Sequence, residues 1–443
     1  MTLAGGFLTS PAPRAQQGTR RPNILVIMTD DQRAATLHVM PKTRTRFRDQ
    51  GTIFSNAYAT TPLCCPSRAS VMTGRYAHNH GLKTNVGAFA TLDQRTTVQR
   101  YLQKNGYFTA TAGKFFNDWP LTTNPSYFDR WTIFGGGYRN TPMNVDGVVG
   151  RVAEYSTSFI RTKAIEYLQS FEQNDPRPWY ISITPYAPHT PYTIETKYRN
   201  APVGSWIGNP AVFETDESDK PPYVQSRSAG FLAGKETRTK QLRTQRSVDD
   251  LVGAFFAAMD ALGETGDTLA VYLSDNGFMW AEHGIIGKRM PYTQSMRIPL
   301  YVRWPSHAPP GATDPRLVAN IDLAPTILEA AGIAPDPGSS MDGRPLFGPT
   351  RDRLLFEYYF DTTTGGTPPP PPWAGIRTAS HQYVEWYDAA SGALTFREYY
   401  DLVNDPWQLV NFLADGDPSN DPNVVALSAQ LALDRRCQGV SCP

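Results

Sequence analysis

The chain has 443 residues, of which 40% are hydrophobic and 12% aromatic, and its formal net charge is +1 at pH 7. A nearly neutral charge argues against nucleic acid as the main partner. No stretch is long and apolar enough to span a bilayer. The length allows two or three domains, although large α/β domains often exceed the average domain size.

Residues 1–21 precede the first predicted strand and are rich in alanine, glycine, proline and threonine. They lack the basic start and the apolar centre that a signal peptide needs. We therefore interpret this segment as a disordered or leader-like arm.

Strands and helices alternate along the chain from residue 22. Continuous apolar runs predict strands that are buried on both faces, as in parallel sheets: Pro22–Thr29, Thr52–Tyr58, Tyr107–Ala112, Trp179–Thr184, Thr268–Leu273 and Ile298–Arg303. Helical spacing and end signals predict helices with Ser156 and Asp322 as N-caps: Ser67–Thr73, Thr97–Lys104, Ser156–Phe171, Arg246–Leu262 and Asp322–Ala331. Residues 197–235 are polar and are predicted to form a loop or lid. This alternation predicts an α/β fold with a large, mostly parallel sheet sandwiched by helices.

The character of the chain changes after Gly343, where short aromatic-rich strands replace the long apolar runs. They are Leu354–Tyr359, Ala374–Thr378, Gln382–Tyr387 and Phe396–Tyr400, followed by a helix near Val424–Leu433. We predict a catalytic α/β domain over 22–345 and a C-terminal α+β subdomain over 346–443, in which the helix packs on a small antiparallel sheet. Pro368–Pro372 predict a stiff polyproline segment, either a spacer or part of a substrate rim.

Polar clusters follow the ends of four predicted strands. They are Asp30 and Asp31, Lys114, His189, and Asp275 with Asn276. Ligands of open α/β sheets bind outside the carboxyl ends of the strands, so these clusters are expected to converge on one edge. The carboxylate and amide oxygens suit Ca²⁺, or Mg²⁺ in its place. The alternative is that each acidic pair is only a helix cap or a turn.

Cys64 precedes Pro66, Ser67 and Arg68 in a stretch that ends at Gly74. Proline suits the first helical position and glycine the C-terminal end. Cys64 would then lie just before a helix N-terminus, where free N–H groups favour an anion. Three interpretations of Cys64 remain at this point: a buried apolar thiol, a nucleophile of low pKa, or a modified catalytic residue.

The run from Cys64 to Arg75 resembles the C-x-P-S-R-x-x-x-x-T-G-R signature of the type I sulfatases, in the alkaline-phosphatase-like superfamily. The resemblance extends in order along most of the chain. Its further motifs are the opening strand with Asp30 and Asp31, the run from Gly106 to Lys114, Pro188 to Pro191, Ser274 to Gly277, Glu282 to Lys288, and the C-terminal stretch from Asp401 to Asn411.

The resemblance implies that Cys64 is oxidised to formylglycine by a formylglycine-generating enzyme, and that its hydrate attacks the sulfur of a sulfate ester. It implies a Ca²⁺ site formed by Asp30, Asp31, Cys64, Asp275 and Asn276. The implied catalytic residues are Cys64, Arg68, Lys114, His189 and Lys288. The implied substrate is a sulfated small molecule or oligosaccharide, and the oligomeric state is left open. Arg75 is expected to brace the helix and the metal carboxylates.

This sequence departs from many sulfatases at Phe116, which takes the place of a histidine. The form Gly113-Lys114-Phe115-Phe116-Asn117 resembles the N-acetylglucosamine-6-sulfatase branch. Asn117 is expected to replace the missing histidine, and His80 and His283 are assigned to substrate binding, with His80 on the rim. The role of His78 is left open. Specificity is expected in the loops 134–147, 196–235 and 362–373.

Three alternatives accompany the sulfatase interpretation. A phosphonate monoester or phosphodiester hydrolase would share the modified cysteine. An inactive carbohydrate-binding relative is disfavoured because the reactive groups are intact. A plain metal-dependent phosphatase, with Cys64 as a bystander, is disfavoured because only two strand ends offer carboxylates.

The four cysteines form two close pairs. A disulfide between the adjacent Cys64 and Cys65 would be strained, whereas Cys437 and Cys442 are predicted to form a small disulfide, which indicates an oxidising compartment. An extracytoplasmic or secreted location is therefore favoured, and a cytoplasmic one stays open because no convincing signal peptide is present.

Overall fold

The structure is a computed structural model that describes residues 21–173, 177–305, 307–362 and 368–443. The predicted N-terminal arm lies outside the described residues except for Arg21. Residues 363–367 of the predicted specificity loop 362–373 also lie outside them.

The strands of the described residues form one large sheet, one small sheet and a two-stranded hairpin. They are β1 Asn23–Thr29, β2 Thr52–Tyr58, β3 Phe108–Lys114, β4 Arg130–Phe134, β5 Thr141–Val145, β6 Val148–Val152, β7 Trp179–Thr184, β8 Thr268–Ser274, β9 Met279–Trp280, β10 Ile286–Gly287, β11 Leu300–Arg303, β12 Ala312–Ala319, β13 Leu354–Tyr358, β14 Trp373–Arg377, β15 His381–Tyr387 and β16 Leu394–Asp401.

The α-helices of the same residues vary from single turns to a long helix of 32 residues. They are α1 Pro41–Thr43, α2 Cys64–Thr73, α3 Ala77–His80, α4 Ala88–Thr91, α5 Val98–Lys104, α6 Ser156–Glu172, α7 Pro222–Gln225, α8 Phe231–Leu262, α9 Thr293–Met296, α10 Leu323–Ala331 and α11 Val424–Asp434.

The large sheet has ten strands in the order β12-β2-β11-β8-β1-β7-β3-β4-β5-β6. Neighbours from β8 to β4 pair in parallel, and β12 pairs in parallel with β2. Only β11 and β5 run against the other described strands of this sheet. The predicted mostly parallel sheet is confirmed. Strand β11 lies between β8 and β2 and runs antiparallel to both.

Both faces of the sheet are covered by helices, as predicted. Ile24, Val26 and Met28 of β1 pack into a core with α2, α5 and α10. Leu25 and Ile27 point to the opposite face and pack with α6 and α8. Alternate residues of one strand therefore enter two cores, which explains why the strand is apolar throughout.

The C-terminal region forms the predicted antiparallel sheet, in the order β13-β14-β15-β16. Leu431 of α11 is buried in its core, which is shared with Leu63, Tyr76 and Met290 of the α/β part. The two parts therefore pack against each other through a common apolar core. The boundary at 345/346 stays a prediction.

Several predicted element boundaries are wrong. Helix α2 begins at Cys64, so Pro66 is its third residue, although Gly74 ends it with φ of 68° as predicted. Helix α8 begins at Phe231, inside the predicted loop 197–235. Its first half buries polar side chains such as Gln241, Thr244 and Gln245, so no apolar periodicity marks it in the sequence.

Neither predicted N-cap side chain caps its helix, although Asp322 occupies the N-cap position of α10. The side chain of Ser156 donates to the carbonyl of Gly137 instead of capping α6. The carboxylate of Asp322 accepts from the backbone N–H of Ala319 and from Arg344, so it closes the preceding 3-10 turn Asn320–Asp322 and does not cap α10.

Cys437 and Cys442 form the predicted disulfide, and Cys64 and Cys65 are free, buried thiols. None of the helices in the described ranges combines the length and the apolar character needed to cross a bilayer.

Candidate active site

Four neighbouring strands, β8, β1, β7 and β3, bring the predicted polar clusters to one edge of the sheet. Asp275 follows β8, Asp30 and Asp31 follow β1, His189 lies beyond the end of β7, and Lys114 ends β3. Because these four strands are parallel and adjacent, their carboxyl ends lie side by side. The expected convergence of the clusters is therefore found in the structure.

The acidic residues at this edge are buried. A backbone N–H group and the side-chain amide of Asn276 link their carboxylates. The backbone N–H of Asp31 donates to Asp275 Oδ1 at 3.1 Å, and Asn276 Nδ2 donates to Asp31 Oδ1 at 2.7 Å. Asp31 adopts a left-handed conformation with φ of 67°, which non-glycine residues rarely adopt and which is frequent at functional sites. The chain therefore turns sharply to aim both carboxylates at one point.

Cys64 reaches this point from the first turn of α2. Its Sγ lies 3.4 Å from Asp30 Oδ1 and 2.7 Å from Lys288 Nζ. Leu63 at the N-cap has no side chain that can cap the helix. Asn85 supplies that interaction from a distant loop, since its Oδ1 accepts from the backbone N–H of Cys65 at 3.0 Å. The N-terminus of α2 is thus held against the carboxylates.

Three cations surround the acidic cluster. Arg68 Nε donates to Asp275 Oδ2 at 3.0 Å and Nη1 donates to the carbonyl of Lys114 at 2.8 Å, while Nη2 lies 2.9 Å from Asp275 Oδ2 in an ion pair. Lys114 Nζ lies 2.5 Å from Asp30 Oδ2. Lys288 Nζ forms an ion pair with Asp31. Three carboxylates therefore face three cations in a buried site.

These charges set the ionisation of the cluster. Burial by itself would raise the pKa of Asp30, but the positive charges of Lys114 and Arg68 hold it well below its usual value. Burial and the nearby charge of Asp30 raise the pKa of Asp275 to about 6. Burial and Asp30 also raise the pKa of Cys64, so the encoded thiol is protonated at neutral pH. The interpretation of Cys64 as a low-pKa nucleophile therefore finds no support in the charges of these residues.

His189 presents one ring nitrogen to the cluster. Its Nδ1 lies 2.7 Å from the carbonyl of Thr190 and therefore carries a proton, while Nε2 lies 3.7 Å from Asp31 Oδ2. Burial lowers the pKa of His189 against the opposing effect of Asp30 and Asp31. A neutral His189 thus directs an acceptor nitrogen at a carboxylate, a pairing that a cation between the two would stabilise.

Among the described residues, no hydrogen bond or ion pair joins the side chains of Asn117, His80 and His283 to the carboxylates, Cys64 or the three cations, so their assignment to substrate binding stays a prediction. Asn117 is exposed, and its backbone N–H points to Cys65 Sγ at 3.4 Å. His80 is buried against Ser70 at 3.1 Å, and burial lowers its pKa to about 4, so the expected rim position is wrong. His283 is fully buried and contacts Glu214 at 2.5 Å, so it reaches no substrate without moving.

Arg75 does not brace the carboxylates as expected. Its guanidinium donates to the carbonyl of Ser340 at 2.9 Å and to Ser339 Oγ at 3.0 Å. Arg68 takes the bracing role because it lies two turns nearer the N-terminus of α2, where the carboxylates are.

Several further residues position the cluster and were not predicted from the sequence. Ser67 Oγ donates to the carbonyl of Asp275, and Asn320 Nδ2 donates to Ser67 Oγ at 2.8 Å. Gln241 Nε2 reaches the carbonyl of Asp31 at 3.4 Å. Ser67 stands inside the cysteine motif and could have been found there. Asn85, Asn320 and Gln241 carry no local motif and become visible only when the chain is folded.

His78 links the α/β part to the C-terminal region. Its Nδ1 lies 3.0 Å from Glu357 Oε2 and its Nε2 lies 2.9 Å from the carbonyl of Cys437. Both partners are acceptors, so both ring nitrogens carry protons and the ring is cationic. Glu357 raises the pKa of His78 against burial, and His78 keeps the pKa of Glu357 low against burial.

We expect His78→Ala to destabilise the protein most between about pH 4.5 and 6.5. The pKa of His78 is higher in the folded protein than in the unfolded chain. Its contribution to stability is therefore complete at pH values below the pKa of the unfolded chain, and it is lost as the pH rises through the pKa of the folded protein. The lowered pKa of Glu357 gives stability that is lost only in acid. Urea unfolding at pH 5.5 and 8.5 should show a larger loss at pH 5.5, by roughly 1 kcal/mol. The exposed His38 provides the control substitution His38→Ala, and equal losses at both pH values would contradict this assignment.

The comparisons with known proteins agree with this geometry. The fold and the site define an α/β protein with a large, mostly parallel sheet and a polar site at the carboxyl edge of that sheet. The sulfatase family profile matches residues 22–333, and the C-terminal profile of N-sulphoglucosamine sulphohydrolase matches residues 281–435. The chain belongs to the sulfatase family.

Individual relatives cover different shares of the chain. An extracellular sulfatase SULF-1 homolog of Drosophila melanogaster is 32% identical over 73% of this chain, but the chain spans only 31% of that protein. The human N-acetylglucosamine-6-sulfatase is 28% identical over 96% of this chain and 86% of its own.

Solved structures support the fold. A protein in complex with its substrate D-glucosamine-2-N,6-O-disulfate superposes with a TM-score of 0.76 at 24% identity, over 93% of this chain and 97% of that chain. A phosphonate monoester hydrolase of Agrobacterium radiobacter superposes with a TM-score of 0.69 at 21% identity, over 94% of this chain and 95% of that chain.

Proposed function

We propose that the protein hydrolyses a sulfate monoester of a sugar or an aryl alcohol. The observation that carries the proposal is the buried cluster in which Cys64 Sγ meets Asp30, Asp31 and Lys288 at the sheet edge. Arg68 and Lys114 complete a cationic rim around the same point. A tetrahedral anion at this place would meet donors from several directions.

A divalent cation fits the donor set of this site. Ligand atoms of Asp30, Asp31, Cys64 and His189 lie within 4.8 Å of one another. Asp30 Oδ2 is buried, and its ion pairs with Lys114 and Arg68 lack hydrogen-bond geometry, so an acceptor faces the centre of the cluster. We assign Asp30, Asp31, Asp275 and Asn276 as oxygen ligands of Ca²⁺, or of Mg²⁺ in its place. Bound there, the ion would neutralise charge on the sulfuryl oxygens.

The roles of Lys114 and Lys288 follow from the balance of charges in the cluster. Lys114 and Lys288 compensate Asp30 and Asp31 in the structure. A divalent ion on the carboxylates would supply that compensation and leave both ammonium groups available to a substrate anion. We therefore assign Lys114 and Lys288 to the sulfuryl oxygens and Arg68 to holding Asp275 in place.

Cys64 is proposed to act after oxidation to formylglycine by a formylglycine-generating enzyme. The support for this assignment is the match of residues 64–75 to the cysteine motif of the sulfatases and the position of Cys64 in the cluster. As a hydrate, the modified residue would supply an oxygen nucleophile to sulfur. His189 Nε2 faces the same centre. It is assigned to orienting the leaving alcohol as an acceptor, or to protonating it when the ring carries a second proton, with Lys288 sharing that work.

The substrate that we favour is an N-acetylglucosamine-6-sulfate unit of a glycosaminoglycan. Its support is the similarity over most of the chain to the human protein named N-acetylglucosamine-6-sulfatase. An extracytoplasmic or secreted location is proposed from the Cys437–Cys442 disulfide and from the relative named an extracellular sulfatase homolog.

A phosphonate monoester hydrolase is the second candidate, because that class shares this fold. The test compares product release from 4-nitrophenyl sulfate, N-acetylglucosamine-6-sulfate and a phenylphosphonate monoester, using protein made together with a formylglycine-generating enzyme. We expect kcat/KM for a sulfate ester to exceed that for the phosphonate by at least roughly tenfold. The reverse order would favour the second candidate. No turnover by protein with a verified aldehyde would indicate an inactive carbohydrate-binding relative.

The metal assignment predicts a thermal shift. Protein stripped with a chelator should gain stability on addition of Ca²⁺, by about 2.7 kcal/mol at a hundred times the dissociation constant. Asp275→Asn should abolish most of that gain, because it removes a buried ligand charge. Asp260→Asn, at a carboxylate on α8 that pairs with Arg46, is the control and should keep the gain. A melting temperature that Ca²⁺ and Mg²⁺ both leave unchanged would exclude the site.

A further inference from the structure

Tyr186 lies against two residues of the candidate active site, His189 and Lys114. Its ring centroid is 4.7 Å from that of His189, with 37° between the two ring planes. Lys114 Nζ lies 5.4 Å from the centroid of the same ring, within the range of a cation–π contact. Tyr186 therefore contacts both the residue assigned to the leaving alcohol and a residue assigned to the sulfuryl oxygens, although it carries no assignment of its own.

The carbonyl of Thr190 joins Tyr186 to a ring nitrogen of His189. Tyr186 Oη donates to this carbonyl at 2.6 Å, and His189 Nδ1 lies 2.7 Å from it as the second donor. A carbonyl oxygen has two lone pairs, so the two donors occupy its full capacity. The Tyr186 hydroxyl thus holds in place the acceptor that keeps the proton of His189 on Nδ1 and leaves Nε2 as the nitrogen that faces Asp31.

The loop that follows β4 packs against the Tyr186 ring. Tyr138 meets this ring in a T-shaped contact with centroids 5.1 Å apart, and Tyr138 Oη donates to the carbonyl of His189 at 2.5 Å. Gly136 packs so closely that a Cβ atom there would lie 2.5 Å from Tyr186 Cε2. The φ of 146° at Gly136 is also one that residues with a side chain rarely adopt. The loop therefore limits rotation of the Tyr186 ring away from His189.

The hydroxyl of Tyr186 is a hydrogen-bond donor at neutral pH. Burial and the negative charge of Asp30 raise the pKa of Tyr186, so the hydroxyl keeps its proton. That single proton is used in the bond to the Thr190 carbonyl. A role for Tyr186 in the reaction must therefore act through the residues that it contacts.

We propose that Tyr186 is a positioning residue for the hydrolysis of the sulfate ester. Its hydroxyl orients His189 toward the leaving oxygen through the Thr190 carbonyl. Its ring supports the ammonium group of Lys114 beside the sulfuryl oxygens. The inference rests on the proposed function, because His189 and Lys114 take their roles from it. The two contributions can be separated, since the hydroxyl acts on the departure of the alcohol, whereas the ring also affects the contact with the sulfuryl oxygens.

The test compares two sulfate esters that differ by one nitro group, on full-length protein with a verified aldehyde at position 64. The 4-nitrophenolate group leaves readily as an anion, whereas the more basic phenolate of phenyl sulfate depends more on a group that orients or protonates it. Tyr186→Phe keeps the ring and removes the hydroxyl. It should lower kcat for phenyl sulfate at least about tenfold more than kcat for 4-nitrophenyl sulfate. KM for both esters should stay within about twofold of the parent value.

Tyr186→Leu removes the ring as well as the hydroxyl. It should lower kcat/KM for 4-nitrophenyl sulfate too, by about tenfold or more, because Lys114 loses the face of the ring. Tyr155→Phe is the matched control, since Tyr155 Oη donates to the carbonyl of Thr193 at 2.9 Å while its ring stacks on Tyr138. Its rates on both esters should stay within about twofold of the parent.

A second measurement does not depend on turnover. In protein labelled with ¹⁵N-histidine, the side-chain signals of His189 are identified by their loss in His189→Gln. They should show a proton on Nδ1 in the parent and a mixture of both tautomers in Tyr186→Phe. Far-ultraviolet circular dichroism verifies that each variant is folded.

Three results would overturn the proposal: an equal loss on both esters in Tyr186→Phe, an effect no larger than that of Tyr155→Phe, or an unchanged tautomer of His189. A different result would refute the proposed function alone. It is a parent protein with a verified aldehyde that releases no sulfate, although its His189 tautomer depends on Tyr186, which would leave the positioning of His189 by Tyr186 established.

Discussion

Replacing Cys64 with alanine is expected to lower kcat/KM for an aryl sulfate by more than about a thousandfold. The side chain lies in the cluster, within 3.4 Å of Asp30 and 2.7 Å of Lys288, and after oxidation it is the proposed nucleophile. Removal of the nucleophile leaves only the electrostatic contribution of the cations. Initial rates on 4-nitrophenyl sulfate, with mass spectrometry of the Cys64 peptide of the parent protein, measure both the effect and its cause.

The neighbouring thiol provides the control for this experiment. Cys65 is equally buried, but its Sγ contacts Asn85 and Asn117 rather than the carboxylates. Cys65→Ala should therefore retain activity within about tenfold, and both variants should keep the far-ultraviolet circular dichroism of the parent. An alanine variant at position 64 with full activity would contradict the mechanism, as would an active parent protein whose Cys64 peptide contains no aldehyde.

The parts of the fold that the sequence predicted are those in which burial leaves a regular pattern. Strand β1 is apolar on both faces because it enters two cores, and the same holds for β7 and β8. The polar residues after these strands converge because parallel strands end at one edge. The order of strands was not predictable, yet it decides the site, since β8, β1, β7 and β3 had to be neighbours.

The missed features depend on contacts between distant segments. The first half of α8 carries buried glutamines and threonines, so its helical pattern has no apolar signal. His80 and His283 stand in motifs that suggest a site, but both side chains are buried. His80 contacts Ser70, and His283 contacts Glu214. Strands β5 and β6 at the sheet edge contain an exposed proline or exposed valines, which resemble loop residues in the sequence.

Arg68→Ala is expected to destabilise the protein by about 3–5 kcal/mol, because it leaves buried carboxylates without their partner. Arg68 is fully buried, makes two contacts to Asp275 Oδ2 and donates to the carbonyl of Lys114. Arg68→Lys keeps the charge but cannot make all three contacts, so an intermediate loss is expected. Urea unfolding with and without Ca²⁺ measures the effect, and activity should fall with it, because Asp275 is both a proposed metal ligand and the residue that Arg68 holds.

Arg75→Ala is the matched control on the same segment, since Arg75 contacts only Ser339 and Ser340 among the described residues, and its cost should stay below about 1 kcal/mol. If Arg68→Ala were as mild as this control, the ion pairs around Asp275 would not organise the site, and the assignment of the carboxylate cluster to a metal and a sulfate anion would lose its physical basis.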